Sequence, residues 1–343
     1  MLHFDSDYMR GAHPTVMRRL METNLCQSVG YGSDEFTAHA AELILDECSL
    51  NPSSSKVVFL TGGTQTNSTV IDSFIRSHQG VLCAETGHIN VHEAGAVEAT
   101  GHKVLTLPSH EGKISAKELD DYISDFFRDE TWEHMVTPGM VYISFPTELG
   151  TLYSLRELED ISNVCHSHGI PLYLDGARLG YGLAASDDVT LPDIARLCDV
   201  FYIGGTKVGT LFGEAVVVKD AARWQYSLSQ VKRHGALLAK GRLLGIQFET
   251  LFTDNLYHRA SRNAIVQAMK LKEGFLAAGF RLFINSPTNQ QFFILPNECM
   301  DDLKKKATFE LWGPRGTEET PVRFVTDWGT TDEEIDLLLS YLK

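Results

Sequence analysis

Seven short apolar runs, rich in β-branched residues and without strict alternation, constrain this chain more than any other feature. They are Val57-Val58-Phe59-Leu60, Val81-Leu82-Cys83, Val104-Leu105-Thr106-Leu107, Val141-Tyr142-Ile143-Ser144, Leu172-Tyr173-Leu174, Val200-Phe201-Tyr202-Ile203 and Ala215-Val216-Val217-Val218. A half-solvated strand alternates apolar and polar side chains, whereas a continuous apolar run suits a strand covered on both faces. Helical patterns occupy 64–78, 155–167 and 191–197, between such runs. Strand and helix in alternation predict an α/β fold with a doubly wound, mostly parallel seven-stranded sheet. After Lys219 the pattern changes to a long helical stretch over about 221–252 and a second over about 256–278. Strand-like pieces at 291–295 and 321–326 and a helix beginning near Thr331 complete the chain. We therefore expect a large domain over residues 1–250, N-terminal segment included, and a smaller C-terminal α+β domain over 251–343.

Charge and cysteine usage exclude several functions. Against 45 acidic residues stand 30 Lys and Arg, a formal charge of −15, with no long basic run. Such a chain is a poor partner for nucleic acid or an anionic membrane. The six cysteines are scattered with no Cys-x-x-Cys pair, which argues against a disulfide framework and against a zinc site, and no metal is expected. No apolar run approaches the roughly 18 residues of a membrane span, and the first residues carry no secretory pattern, so a cytoplasmic protein is expected.

In open α/β sheets ligands bind outside the carboxyl ends of the strands, and three such ends carry chemistry here. The first leads into Thr61-Gly62-Gly63-Thr64-Gln65-Thr66-Asn67, which opens a helix. Glycines let backbone N–H groups approach an anion, hydroxyls donate further bonds, and the helix N-terminus favours negative charge. This is a phosphate cradle in form, though it is neither a Walker motif nor Gly-x-Gly-x-x-Gly. An ordinary strand-to-helix turn with threonine caps would read the same way.

The other two ends carry opposite charges. Leu172-Tyr173-Leu174-Asp175-Gly176-Ala177-Arg178 ends a strand in a carboxylate, and Ile203-Gly204-Gly205-Thr206-Lys207 brings an amine to the next, 207 − 175 = 32 positions on. A strand, a helix and a strand fit that interval. Pyridoxal 5′-phosphate (PLP) needs this set: a lysine for the Schiff base, a carboxylate to keep the pyridine nitrogen protonated, and an anion site for the phosphate. Opposite charges about 4 Å apart attract by about 4 kcal/mol at an effective dielectric near 20, enough to favour the pyridinium at neutral pH. Taken singly, Asp175 also reads as a turn residue and Lys207 as a surface lysine.

On these residues the chain resembles the low-specificity threonine aldolase/β-eliminating lyase family of fold-type I PLP enzymes. The resemblance runs from Ser6-Asp7 to Arg323-Phe324-Val325-Thr326. It implies that Gly63 and Thr64 bind the phosphate, His88 stacks on the cofactor ring, Ala177 packs on the other face, Asp175 meets the pyridine nitrogen, and Thr206 and Lys207 lie at the attachment point. It further implies that Ser6, Arg178 and Arg323 bind the substrate carboxylate. Tyr31 would face substrate, and Lys240, or Arg242, would reach a partner subunit's phosphate in a homodimer or homotetramer.

One departure stands out. Where many of these aldolases carry a histidine, this chain reads Ser144-Phe145-Pro146-Thr147-Glu148-Leu149-Gly150. Glu148 would then take the β-hydroxyl proton, bind a polar substrate group, or reshape the pocket. The expected activity is retro-aldol cleavage of a β-hydroxy-α-amino acid to glycine and an aldehyde. β-Elimination, racemisation or transamination on the same cofactor remain open, as does a non-catalytic binding protein. A nicotinamide dehydrogenase is disfavoured, since the dinucleotide glycine fingerprint is missing.

Overall fold

The structure is a computed structural model that describes residues 1–342. All seven apolar runs become strands of one sheet, in the spatial order Lys56–Leu60, Glu214–Val218, Val200–Gly204, Leu172–Asp175, Thr137–Ser144, Gln79–Ala84, Val104–Leu107. Every pairing is parallel except those of Glu214–Val218, which is antiparallel to both neighbours. Each face of the sheet carries its own apolar cluster, so successive residues enter different cores: Leu172 and Leu174 join one, Tyr173 the other. This two-sided burial is why the strands read as continuous apolar runs.

The helices Leu155–Ser167 and Leu191–Leu197 form as the periodicity predicts, each opened by a capping box, Ser154 with Glu157 and Thr190 with Asp193. The long helix expected over 221–252 does not form. It is a turn of 3₁₀ helix at Ala221–Trp224, a short helix Ser227–Arg233 and a third piece Arg242–Phe252. Gly235 adopts a left-handed φ of 67°, and a Cβ on Gly241 would lie 2.5 Å from the Gly32 nitrogen. The chain turns there to pack on the N-terminal segment, and apolar periodicity does not report such a turn. The second helix spans Leu256–Ala277.

A four-stranded antiparallel sheet follows, in the order Glu310–Leu311, Glu319–Val325, Gln290–Pro296, Arg281–Ile284. Its core holds Phe4, Phe275, Phe293, Phe309 and Phe324. Phe4 comes from the N-terminus, and the adjoining Leu2–His3 strand pairs in parallel with Ala307–Thr308. Among the described residues no helix is long and apolar enough to cross a membrane.

Two features fix the geometry at the strand ends. A Cβ on Gly176 would lie 1.9 Å from the Tyr202 carbonyl oxygen, and one on Gly204 would lie 2.2 Å from that of Ala177. The turns after the two strands therefore touch backbone to backbone, and the Gly204 N–H donates to the Gly176 carbonyl at 2.9 Å. The second feature is Asp7, wholly buried. Arg178 donates to it at 2.7 and 3.0 Å, and Asn289, beside the small sheet, at 3.0 Å. Burial alone would raise the Asp7 carboxyl, but the charges of Arg178 and Lys207 and these hydrogen bonds hold it at about 2.

Gly176→Ala is expected to destabilise the fold by about 3 kcal/mol or more, because backbone rather than a flexible side chain must yield; urea unfolding checks this. For Asp7 the lowered pKa stabilises the fold above the ordinary carboxylate range, by about 2 kcal/mol, and this is lost as pH falls toward 2. Asp7→Asn removes that acid dependence and, by leaving Arg178 without its counter-charge, is expected to cost about 3–5 kcal/mol at pH 7. Urea midpoints between pH 7 and pH 3 for both proteins check the pair of effects.

Candidate active site

The carboxyl ends of the central strands open on a cleft of about 250 Å³, walled by Gly63, Thr64, His88, Glu148, Asp175, Ala177, Arg178, Thr206 and Lys207 among others. Residues far apart in sequence meet there because the five strands that precede them run parallel and end on the same edge.

The turn at the first strand end is built to receive an anion. The helix Gly63–Phe74 starts after Gly62, whose backbone is extended, with no side-chain cap and no acidic residue in the first turn. Its leading N–H groups are thus free for a ligand. A Cβ on Gly62 would meet nothing within 4 Å, so there is room in front of the turn. The Thr61 hydroxyl donates to Gln65 at 2.5 Å, which ties the turn to the helix behind it.

Asp175 is the most heavily coordinated group in the site. It accepts from Tyr142 at 2.6 Å, Tyr202 at 2.5 Å, Asn67 at 3.0 Å and the Ala177 N–H at 2.9 Å. Burial pushes its pKa up, yet the nearby His88 charge and these donors bring it below the usual carboxylate value. Asp175 is thus ionised at neutral pH in a place where an isolated charge would be costly. An anion so placed suits a protonated ring nitrogen. With the uncapped helix start and the small Ala177, this donor set fits PLP.

Lys207 follows the next strand. Burial and the Arg178 charge lower its amine to about 8, while Asp7, Asp175 and Glu214 oppose them. A substantial neutral fraction is therefore available near physiological pH, as a nucleophilic amine requires. Glu214 has only 3 % of its surface exposed and is raised by burial to about 8. It accepts from the Thr206 hydroxyl at 2.8 Å and the Gly205 N–H at 3.2 Å, which anchors the turn that carries Lys207.

Opposite lie Glu148 and His88. Glu148 Oε1 accepts from the His88 N–H at 3.0 Å and the Ser144 hydroxyl at 2.7 Å, and burial raises its pKa. His88 Nδ1 lies 2.8 Å from Glu93 Oε1, and the same oxygen accepts from Asn67 at 2.7 Å. The single Asn67 amide thus bridges the His88–Glu93 pair to Asp175.

The three residues expected to bind a carboxylate differ in how free they are. The buried Ser6 hydroxyl has no hydrogen-bond partner among the described residues. Arg178 spends Nε and Nη2 on Asp7. Arg323 donates through Nη1 to Gln290 at 2.7 Å and through Nη2 to Glu310, and its guanidinium lies 5.1 Å from the Trp312 ring centroid. Arg178 and Arg323 line the same mouth of the cleft as Lys207, and burial and the Arg178 charge lower the Arg323 pKa.

Tyr31 and Lys240 are not brought into this cleft within one chain. Half-exposed Tyr31 lines a second cleft with Gly241, and its N–H donates to the carbonyl of Ala239, next to the exposed Lys240. Arg242 is engaged with the carbonyls of Thr23, Asn24 and Cys26. Sequence reasoning missed Asp7, Asn67, Glu93, Tyr142, Tyr202 and Glu214. Asp7 and Asn67 stood inside quoted segments without a role of their own; the tyrosines read as apolar strand residues, and Glu214 stands just ahead of the run that begins at Ala215.

Among known proteins, the family model described as beta-eliminating lyase matches residues 4–294. A low-specificity L-threonine aldolase of a Pseudomonas species is 29 % identical over 97 % of this chain and 94 % of its own length. Its counterpart from Pseudomonas aeruginosa is 28 % identical over the same shares, 97 % and 94 %. The structure of a threonine aldolase from Leishmania major superimposes with a TM-score of 0.95 at 41 % identity, covering 100 % of this chain and 98 % of that one. The chain belongs to the beta-eliminating lyase family, whose members depend on PLP.

Proposed function

We propose that the protein is a PLP-dependent lyase that cleaves threonine-like β-hydroxy-α-amino acids to glycine and an aldehyde. The observation that carries this is the meeting of Lys207, Asp175 and the Gly63–Phe74 helix start in one cleft, in a chain akin to threonine aldolases over nearly its whole length. When bound, PLP supplies an electrophilic carbon for the amino group and a sink for the electrons of the broken Cα–Cβ bond.

The chain's own residues do the rest. Gly63 and Thr64 would hold the phosphate, His88 and Ala177 would enclose the ring, and Asp175 would keep its nitrogen protonated, with Thr206 beside Lys207 at the attachment point. Lys207 supplies the attaching amine. Ser6, Arg178 and Arg323 would orient the α-carboxylate and, through it, the scissile Cα–Cβ bond. Glu148 takes the β-hydroxyl proton. Both hydrogen bonds to its carboxylate fall on Oε1, which leaves Oε2 for this task. Its raised pKa brings it nearer the operating pH, where a base is most effective. His88, oriented by Glu93, lines the same cleft as Glu148 and is the second group that could take that proton.

The division near residue 250 is part of the same reading, since the Arg242–Phe252 helix ends there, ahead of the helix that supports the small sheet. Tyr31 and Lys240, adjacent to each other and outside this cleft, would serve a neighbouring subunit's site in a homodimer or homotetramer. Free cysteines, four of them buried, accord with a cytoplasmic location.

Product analysis with L-threonine and L-allo-threonine tests the reading: glycine and acetaldehyde should appear in equal amounts. No glycine from any β-hydroxy amino acid, with pyruvate from serine or cysteine instead, would replace aldol cleavage by elimination. Glu148→Gln should lower kcat by about 100-fold or more. In the wild type the acid limb of the pH–rate profile should lie above the ordinary carboxylate range, and pH–rate profiles of the two proteins check this.

A further inference from the structure

The two arginines proposed to hold the substrate's α-carboxylate are both already paired with carboxylates of this chain, and the two pairs are built differently. Asp7, the partner of Arg178, has a side chain 0 % exposed and is held in addition by Asn289. Glu310, the partner of Arg323, has a side chain 41 % exposed, and Arg323 is its only hydrogen-bond partner among the described residues. The first pair is fixed; the second has one member free to swing into solvent. Arg323 itself cannot follow, because Nη1 is bonded to the buried Gln290 and the guanidinium faces Trp312. Strand pairing sets this arrangement, with Glu310 directly opposite Arg323 on the neighbouring strand.

We infer that Glu310 is an internal competitor for Arg323: Nε is buried without a partner among the described residues, and Glu310 occupies the adjacent Nη2, so a two-pronged grip on the substrate's α-carboxylate through Nε and Nη2 requires Glu310 to leave. The inference rests on the carboxylate-binding role proposed for Arg323. Substrate entry exchanges one carboxylate for another on the same N–H group, and Glu310 moves outward past Tyr8 and His92, which line the same mouth of the cleft. No buried charge is left unpaired in either state, because the released Glu310 carboxylate is solvated. Before substrate arrives, Arg323 is spared the cost of a buried, uncompensated cation. The consequence is a weaker grip on the amino acid than two free arginines would give, since binding must first displace Glu310. Glu310 thereby sets substrate affinity without touching the reacting bond.

The test uses holoenzyme and two readouts: KM for L-allo-threonine, and the dissociation constant of glycine followed by tryptophan fluorescence, for which Trp312 is a reporter. Glu310→Gln and Glu310→Ala should each lower both constants about threefold to tenfold, as expected for loss of a partly exposed ion pair, with the change in KM rather than kcat. Arg323→Gln should raise both constants, and adding Glu310→Gln to it should change nothing further, because the competition runs through Arg323 alone. If Arg323→Gln raises the constants but neither Glu310 variant lowers them, the competitor role is overturned and the Arg323 reading stands. If Glu310→Gln lowers them equally in the Arg323→Gln background, the competitor role is likewise overturned. If Arg323→Gln leaves them unchanged, the carboxylate-binding reading fails and the inference with it.

Discussion

The arrangement of the site depends on keeping one buried carboxylate ionised. Asp175 sits at the end of a central strand, and an isolated charge there would cost several kcal/mol. Its four donors come from four places: Tyr142 on one neighbouring strand, Tyr202 on the other, Asn67 on the helix behind the phosphate turn, and the N–H of its own turn. Satisfying Asp175 therefore fixes the spacing of three strands and the position of the helix Gly63–Phe74 at once. The Gly176 and Gly204 contacts belong to the same constraint, since only bare backbone lets the two strand ends approach closely enough for Tyr202 to reach Asp175.

From this centre the charges are graded outward. Asp7 is held at about 2 by its arginine, while Lys207 and Glu214 both lie at about 8. Glu214, raised by burial, withdraws part of the negative charge that would otherwise favour the Lys207 cation, which suits the nucleophilic role proposed for Lys207. Glu148 is raised by burial on the far wall. The environment separates groups of one chemical type into a permanent anion, a neutral acid and a candidate base.

Much of this was legible in the sequence, for definite reasons. Burial on both faces writes strands as unbroken apolar runs, so all seven were visible. Because parallel strands end on one edge, the sequence alone places Asp175 and Lys207 together. The rest was hidden by the same logic. Tyr142 and Tyr202 count as apolar in a strand pattern, and only the fold shows that their hydroxyls point to a common carboxylate. Asp7 and Arg178 are 171 positions apart, and no local pattern links them. The Glu310–Arg323 pairing is a matter of strand register in a small sheet whose edge strand, Glu310–Leu311, is two residues long. The helical pattern over 221–252 misled because periodicity persists through a bend made at Gly235 and Gly241.

The central claim is that Lys207 alone carries the cofactor. Reduction of the PLP-loaded protein with borohydride, followed by peptide mapping by mass spectrometry, tests it most directly. The account predicts one pyridoxyl group per chain, on the peptide containing Thr206-Lys207, and none on that segment in Lys207→Ala. Stoichiometric labelling at another lysine, or undiminished labelling of the Lys207→Ala protein, would contradict it.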